Sequence, residues 1–214
     1  MSKRVNMNSA LALAGIVGPI VLVVGDLTAS LSTPNYSLVS DSISSLALTP
    51  IGWLQTICFL AVGLLVEIFV AGLIFNIRRA RGFHLGIGLL ILCGFGLLMI
   101  AAFRMDPSGA PQTTEGAIHS ATAYALSFLL PIAIVLLAPS LKSDPKWRNL
   151  FVYTLLAGAL GLTLTIGLLL LPNLAGWFGL YERIIVGNVM IWVTVAAVHL
   201  LRLSLTREPQ PRHT

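Results

Sequence analysis

Six long apolar runs constrain this chain more than any other feature: Ser9 to Leu31, Gly52 to Ile77, Phe83 to Phe103, Gly116 to Ala138, Leu150 to Leu171 and Glu182 to Leu203. Each is close to the roughly 20 mostly apolar residues that an α-helix needs to cross the hydrocarbon core of a bilayer. Lipid offers backbone N–H and C=O groups no water, so segments of this kind fold as helices that bond themselves. The breaks between runs carry turn and cap chemistry, at Asn35, Pro50, Arg78-Arg79, Asp106-Pro107-Ser108-Gly109, Asp144-Pro145 and Pro172-Asn173. The pattern predicts an all-α membrane protein, a six-helix transmembrane bundle forming one domain over residues 1–205. A short interfacial helix or loop follows the first helix, and a polar cytoplasmic tail occupies 206–214.

Composition supports the same conclusion. The 214 residues are 57% hydrophobic and only 10% charged, against about 25% charged in soluble domains, which leaves no stretch for a separate soluble unit. The net charge of +5 arises from short basic clusters at the ends of apolar runs. It lacks the basic face with interleaved aromatics that nucleic acid requires, so membrane lipids are the expected partners and nucleic acid is not. Cys58 and Cys93 fall inside apolar runs with no Cys or His at metal-site spacing and read as packing residues.

Positive residues near helix ends are retained in the cytoplasm. Of the 13 lysines and arginines, all but Arg104 and Arg183 fall on one side of the predicted bundle. The expected topology is therefore multi-pass in the cell membrane with both termini cytoplasmic and the first, third and fifth loops outside. Lys3-Arg4 before the first run and Thr28-Ala29-Ser30 at its end resemble a secretory signal. The run is longer than the roughly 7 to 15 apolar residues of such signals and reads as a spanning helix. Pro19 and Pro131 lie inside helices one and four, where each frees a carbonyl that a neighbour must satisfy. Gly82 and Gly86, and Ala157 and Gly161, have the small-xxx-small spacing of close helix packing.

Ionisable side chains at membrane depth are costly and mark candidate sites. Asp26, Asp41, Arg104, Asp106, His119, Glu182 and Arg183 all map to the outer half, where helix ends from separate segments can meet around one outward-opening cavity. His119 and Glu182 read as first-turn residues of helices four and six, at the positive end of the helix dipole. His119 is the only histidine on that side. An imidazole beside a carboxylate serves as general acid or base, which makes His119, Asp41, Asp106 and Glu182 the candidate catalytic set. Arg183 and Arg104 are candidates for holding an anionic substrate group, with Arg183 expected to pair across the cavity with Asp41 or Asp106.

The same acidic set with His119 has the donor types for zinc or manganese, but no spaced motif such as HExxH accompanies it, so the cofactor and metal remain unassigned. In the first outer loop, Val39, Ile43 and Leu46 recur at helical spacing with Ser40 as candidate N-cap. That arrangement turns Asp41, Ser44 and Ser45 inward and makes Ser42 and Ser44 candidate substrate contacts. Glu67, in the inner half of helix two, reads as a carboxyl held between helices, with a proton relay as the alternative.

Asn35-Tyr36-Ser37, the stretch Ser40 to Ala47, Gly52-Trp53, Phe103 to Pro107, Gly116 to His119 and Glu182-Arg183 together resemble the six-helix membrane family catalogued as domain of unknown function 998. The Ser-Asp loop and the Ile-His start of helix four look more distantly like DRAM-type membrane proteins. The resemblance covers nearly the whole chain and implies six helices. It carries over Asp41, Ser42, Ser44, Asp106, His119, Glu182 and Arg183 and implies no agreed activity. Three classes of function remain. The first is acid/base hydrolysis or transfer on a lipid or lipid-linked substrate; the others are small-solute or ion transport and a non-catalytic scaffold or sensor. The topology is directly testable. A cysteine placed at Ser37 is expected to react with an impermeant maleimide in intact cells, and reaction only after permeabilisation would invert the assignment.

Overall fold

The computed structural model describes residues 7–171, 174 and 176–206. Lys3-Arg4, the Pro172-Asn173 break and the tail beyond Thr206 lie outside them. Six helices are each long and apolar enough to cross a membrane. They are α1 (Met7–Ser32), α2 (Gly52–Asn76), α3 (Phe83–Ala102), α4 (Thr114–Ser143), α5 (Phe151–Leu170) and α6 (Phe178–Thr206). A short 3-10 helix, Ile43–Leu48, fills the α1–α2 loop, and a 3-10 turn, Arg148–Leu150, leads into α5.

Each helix packs on its neighbour in chain order and α6 closes the ring against α1, also touching α2 and α4; the α5–α6 seam is the sparsest. Lipid is as apolar as leucine, so such helices associate through close packing and polar contacts rather than by hiding apolar surface. α1 illustrates the result. It turns Ala12, Gly15, Gly18, Asp26, Ala29 and Ser30 inward and leaves Val17, Ile20, Val24 and Leu31 exposed.

Two helices are longer than the apolar runs indicate. α4 continues past Ala138 through Pro139 to Ser143, and α6 begins at Phe178, a turn before Glu182. Thr113 caps α4 by accepting from Gly116 N–H, which moves the helix start ahead of the apolar run. His119 and Glu182 therefore stand in second turns, behind the four unpaired N–H groups, and not at the helix starts the sequence indicated. The 3-10 helix likewise takes Ser42 as its N-cap, not Ser40; the Ser42 hydroxyl accepts from Ser45 N–H.

Pro131 behaves as its chemistry demands. It removes the N–H that would bond Ser127 C=O, and Thr165 of α5 supplies the missing donor at 2.7 Å.

The end where α1 begins and α6 finishes is latched. Asp144 accepts from Arg78 N–H and Lys146 N–H, and the Ser140 hydroxyl accepts from Ala80 N–H. The fully buried Trp147 donates to Asn76 C=O and stacks edge-on against His199. Asp144→Ala leaves two N–H groups without partners, at about 1–3 kcal/mol for a buried donor. The expected result is a lower thermal midpoint in detergent with the helical circular dichroism of the folded state retained; an unchanged midpoint would show that the latch contributes nothing.

Candidate functional site

At the opposite end, where the 33–51 and 103–113 loops lie, one structure organises the surroundings. Arg183, in the second turn of α6, forms a bidentate ion pair with Asp26 of α1, with N···O distances of 2.9 and 3.0 Å. Its remaining N–H groups donate to the carbonyls of Leu38, Asp41 and Gly179 and to the Tyr36 hydroxyl. Every guanidinium N–H is thus engaged. The two side chains are 15% and 12% exposed, so removing one partner would strand a largely desolvated charge.

The 33–51 loop is pinned accordingly. Val39 C=O accepts from Leu180 N–H, and Gly179 lets the backbone of Asp41 lie where any side chain would collide. Tyr36 also donates to the Ser42 carbonyl at 2.7 Å, and burial raises its phenol above the ordinary value although Arg183 pulls the other way.

Beneath this loop is a cavity of about 250 Å³ lined by residues of all six helices. Its polar end holds Ser42, Ser44, Met105, His119, Ser120 and Glu182; its deeper wall is apolar, reaching Pro131, Gly161, Val189 and Met190. From His119 to Pro131 the α4 wall covers roughly 18 Å of helix rise. Tyr124 lines the cavity and is 56% exposed, so it borders both the cavity and the surface of the bundle on α4.

His119 is 4% exposed, and its Nδ1 lies 2.8 Å from Phe103 C=O. A carbonyl only accepts, so Nδ1 carries the proton and Nε2, for which no described residue provides a bond, is the acceptor in the neutral ring. Glu182 uses Oε2 to accept from Ile43 N–H at 2.7 Å, while Oε1 has no bond to a described residue. Each group thus has one anchored atom and one available.

The other expected site residues lie elsewhere. Asp41 spends its carboxylate on Ser37 N–H and the Ser40 hydroxyl. Asp106 accepts from the backbone N–H and then the hydroxyl of Thr113, which hold its carboxyl below the ordinary range and fasten the start of α4. Neither lines the cavity, nor do Arg183 or the exposed Arg104. Arg183 pairs with Asp26, not with Asp41 or Asp106. Of the expected set the cavity gathers His119, Glu182, Ser42 and Ser44.

Among the described residues no three His, Cys, Asp or Glu side chains gather as a metal-binding group. Glu67 packs against Gly94 of α3, where a side chain would collide with its carboxyl, and it does not line the cavity.

Ala123, Ser127 and Tyr124 were not singled out from sequence. The signal was present: His119, Ala123, Ser127 and Pro131 recur every four residues and share one face of α4.

Fold and composition define a multi-pass helical membrane protein. Residues 16–199 match the family model described as Protein of unknown function (DUF998), and the chain belongs to that family. No curated protein and no solved structure matches it.

Arg183→Ala is expected to cost about 3–5 kcal/mol, the usual penalty for orphaning one partner of a buried ion pair. Hydrogen–deuterium exchange should speed up in residues 36–45 first; unchanged protection there would refute the clasp.

Proposed function

We propose that this chain binds an amphiphilic, lipid-like molecule in the cavity under the 33–51 loop, with the reacting group of the molecule held between His119 and Glu182. The observation that carries this reading is the division of the cavity itself, polar at the loop end and apolar along α4 and α6. Pockets for small molecules are mostly apolar with a few placed polar groups, and this lining has that composition.

The chemistry supported is acid/base hydrolysis or transfer. His119 Nε2 is the base that takes a proton from an attacking hydroxyl or water, and Phe103 C=O fixes the tautomer through Nδ1. Glu182 Oε1 orients the same donor or the leaving group. The Ser44 hydroxyl lines the site and supplies a further polar contact.

The described basic residues outside Arg104 and Arg183 gather at the latched end, which supports cytoplasmic termini and a cavity whose polar end lies toward the outer leaflet of the cell membrane. Binding without turnover is the second reading. It is favoured by the commitment of Asp41, Asp106 and Arg183 to structural bonds.

The test is mass spectrometry of molecules that co-purify with the wild type, His119→Ala and Ala123→Phe. Ala123→Phe fills the cavity and should empty it of lipid. General-base catalysis contributes roughly 10²–10⁴-fold, so His119→Ala should retain substrate that the wild type turns over. Equal content in wild type and His119→Ala favours binding alone; equal content in all three proteins refutes the cavity as a binding site.

A further inference from the structure

We infer that the ligand of this cavity is a single-chain amphiphile whose head is a cation that donates hydrogen bonds, a primary ammonium rather than a phosphate or carboxylate. This rests on the amphiphile reading above and assigns the chemical class of the head. It departs from the anionic substrate group that Arg183 and Arg104 suggest from sequence alone.

The first observation is the balance of donors and acceptors at the polar end. Glu182 presents Oε1 after Oε2 is taken by Ile43 N–H, and His119 presents Nε2 after Nδ1 is taken by Phe103 C=O. The Ser42 hydroxyl is already used, accepting from Ser45 N–H and directed at Met105 sulfur. The two strongest open groups are therefore acceptors, and acceptors facing a water-poor space require donors. An ammonium brings three donors on one atom.

The second observation is charge. The cavity lining includes one carboxyl group and no lysine or arginine. Arg183, the next residue in the chain, has every N–H committed, and its charge is matched by Asp26. A phosphate in this space would meet Glu182 with no counter-charge, whereas an ammonium and an ionised carboxylate stabilise each other where water is scarce.

The surroundings carry the same sign. Asp26, Asp41, Asp106, Glu115 and Glu182 stand at this end against Arg104 and Arg183. This end of the bundle is thus acidic on a chain whose overall charge is +5, and a field of that sign concentrates cations.

The third observation is size. About 250 Å³ lies just under the roughly 300–1,000 Å³ usual for drug-sized ligands, which suits one apolar chain and not a two-chain lipid. The wall from Ala123 through Ser127 to Pro131 on α4, facing Val189 and Met190 on α6, would hold that chain.

The experiment measures equilibrium binding of radiolabelled dodecylamine, dodecanol and dodecyl phosphate to the full chain in zwitterionic nanodiscs, with empty discs subtracted. Wild type, Glu182→Gln and Ala123→Phe are compared. Glutamine keeps an oxygen for Ile43 N–H, so the loop contact survives the loss of charge. The expected result is about tenfold or greater preference for dodecylamine over both other probes, as a charge-assisted bond provides, lost in Glu182→Gln. The wild-type order of affinities decides the matter even if Glu182→Gln does not fold. Dodecanol binding as tightly as dodecylamine, with both lost in Ala123→Phe, overturns the cationic head and leaves the amphiphile cavity standing. Tighter binding of dodecyl phosphate, or a preference for the amine that persists in folded Glu182→Gln, also overturns it. No binding of any probe above empty discs removes both readings.

Discussion

The geometry of the site depends on one guanidinium. An arginine cannot shed its proton and presents five N–H groups in a rigid fork, so between helices it must find acceptors for all of them. Arg183 finds a carboxylate on α1, carbonyls in the 33–51 loop and in its own helix, and the Tyr36 hydroxyl. Because these partners belong to three segments, the loop, α1 and α6 become one body. The loop cannot lift without exposing an unpaired charge, and Ile43 and Glu182 are thereby held in register at the cavity roof.

The same end also decides which polar groups are left open to the cavity. The strongest cation near the cavity is fully occupied, and so are the carboxylates of Asp41 and Asp106, which close their own loops. The polar cluster divides into groups that build the roof and groups that face the space beneath it. His119 and Glu182 belong to the second kind because each has one atom anchored and one left over. Anchoring holds each side chain in one orientation and leaves its second polar atom unbonded to any described residue.

Much of this was legible in the sequence. The six spans follow from run length alone, since the bilayer sets a minimum that few other constraints imitate. Pro131 announced an orphaned carbonyl, and Thr165 satisfies it. The gathering of polar residues at one end was equally readable. Their division was not, because Arg183 reaches Asp26 across 157 positions of sequence, and partner choice at that separation depends on how α6 rotates against α1. The helix starts were misread for a simpler reason. Thr113 and Phe178 lie outside the apolar windows: the Thr113 capping bond starts α4 ahead of its window, and the first turn of α6, from Phe178, gives its Leu180 N–H to Val39 C=O in the 33–51 loop. The cavity wall was hidden because lipid and protein interior are equally apolar, so no contrast in hydrophobicity marks the inward face of α4.

The two ends of the bundle also differ in how their polar groups are used, and this bears on transport. A transporter needs polar groups connected from one face to the other, usually through interrupted helices. At the latched end Asn76 is spent on Asn8 and on Gly72 C=O, while Trp147 closes over Asn76 C=O. Glu67 sits on the α3 side against Gly94, apart from the cavity lining. The sparse α5–α6 seam is bridged by Tyr181 to Leu164 C=O, Asn188 to Ala157 C=O and Trp192 to the Thr154 hydroxyl. Each of these donors is satisfied within the seam. The seam and the latched end are thus joined by closed polar contacts, while Glu67 Oε1 and the Gln55 amide are buried without a partner among the described residues and stand apart from the cavity lining; a polar connection from face to face would have to run through those groups.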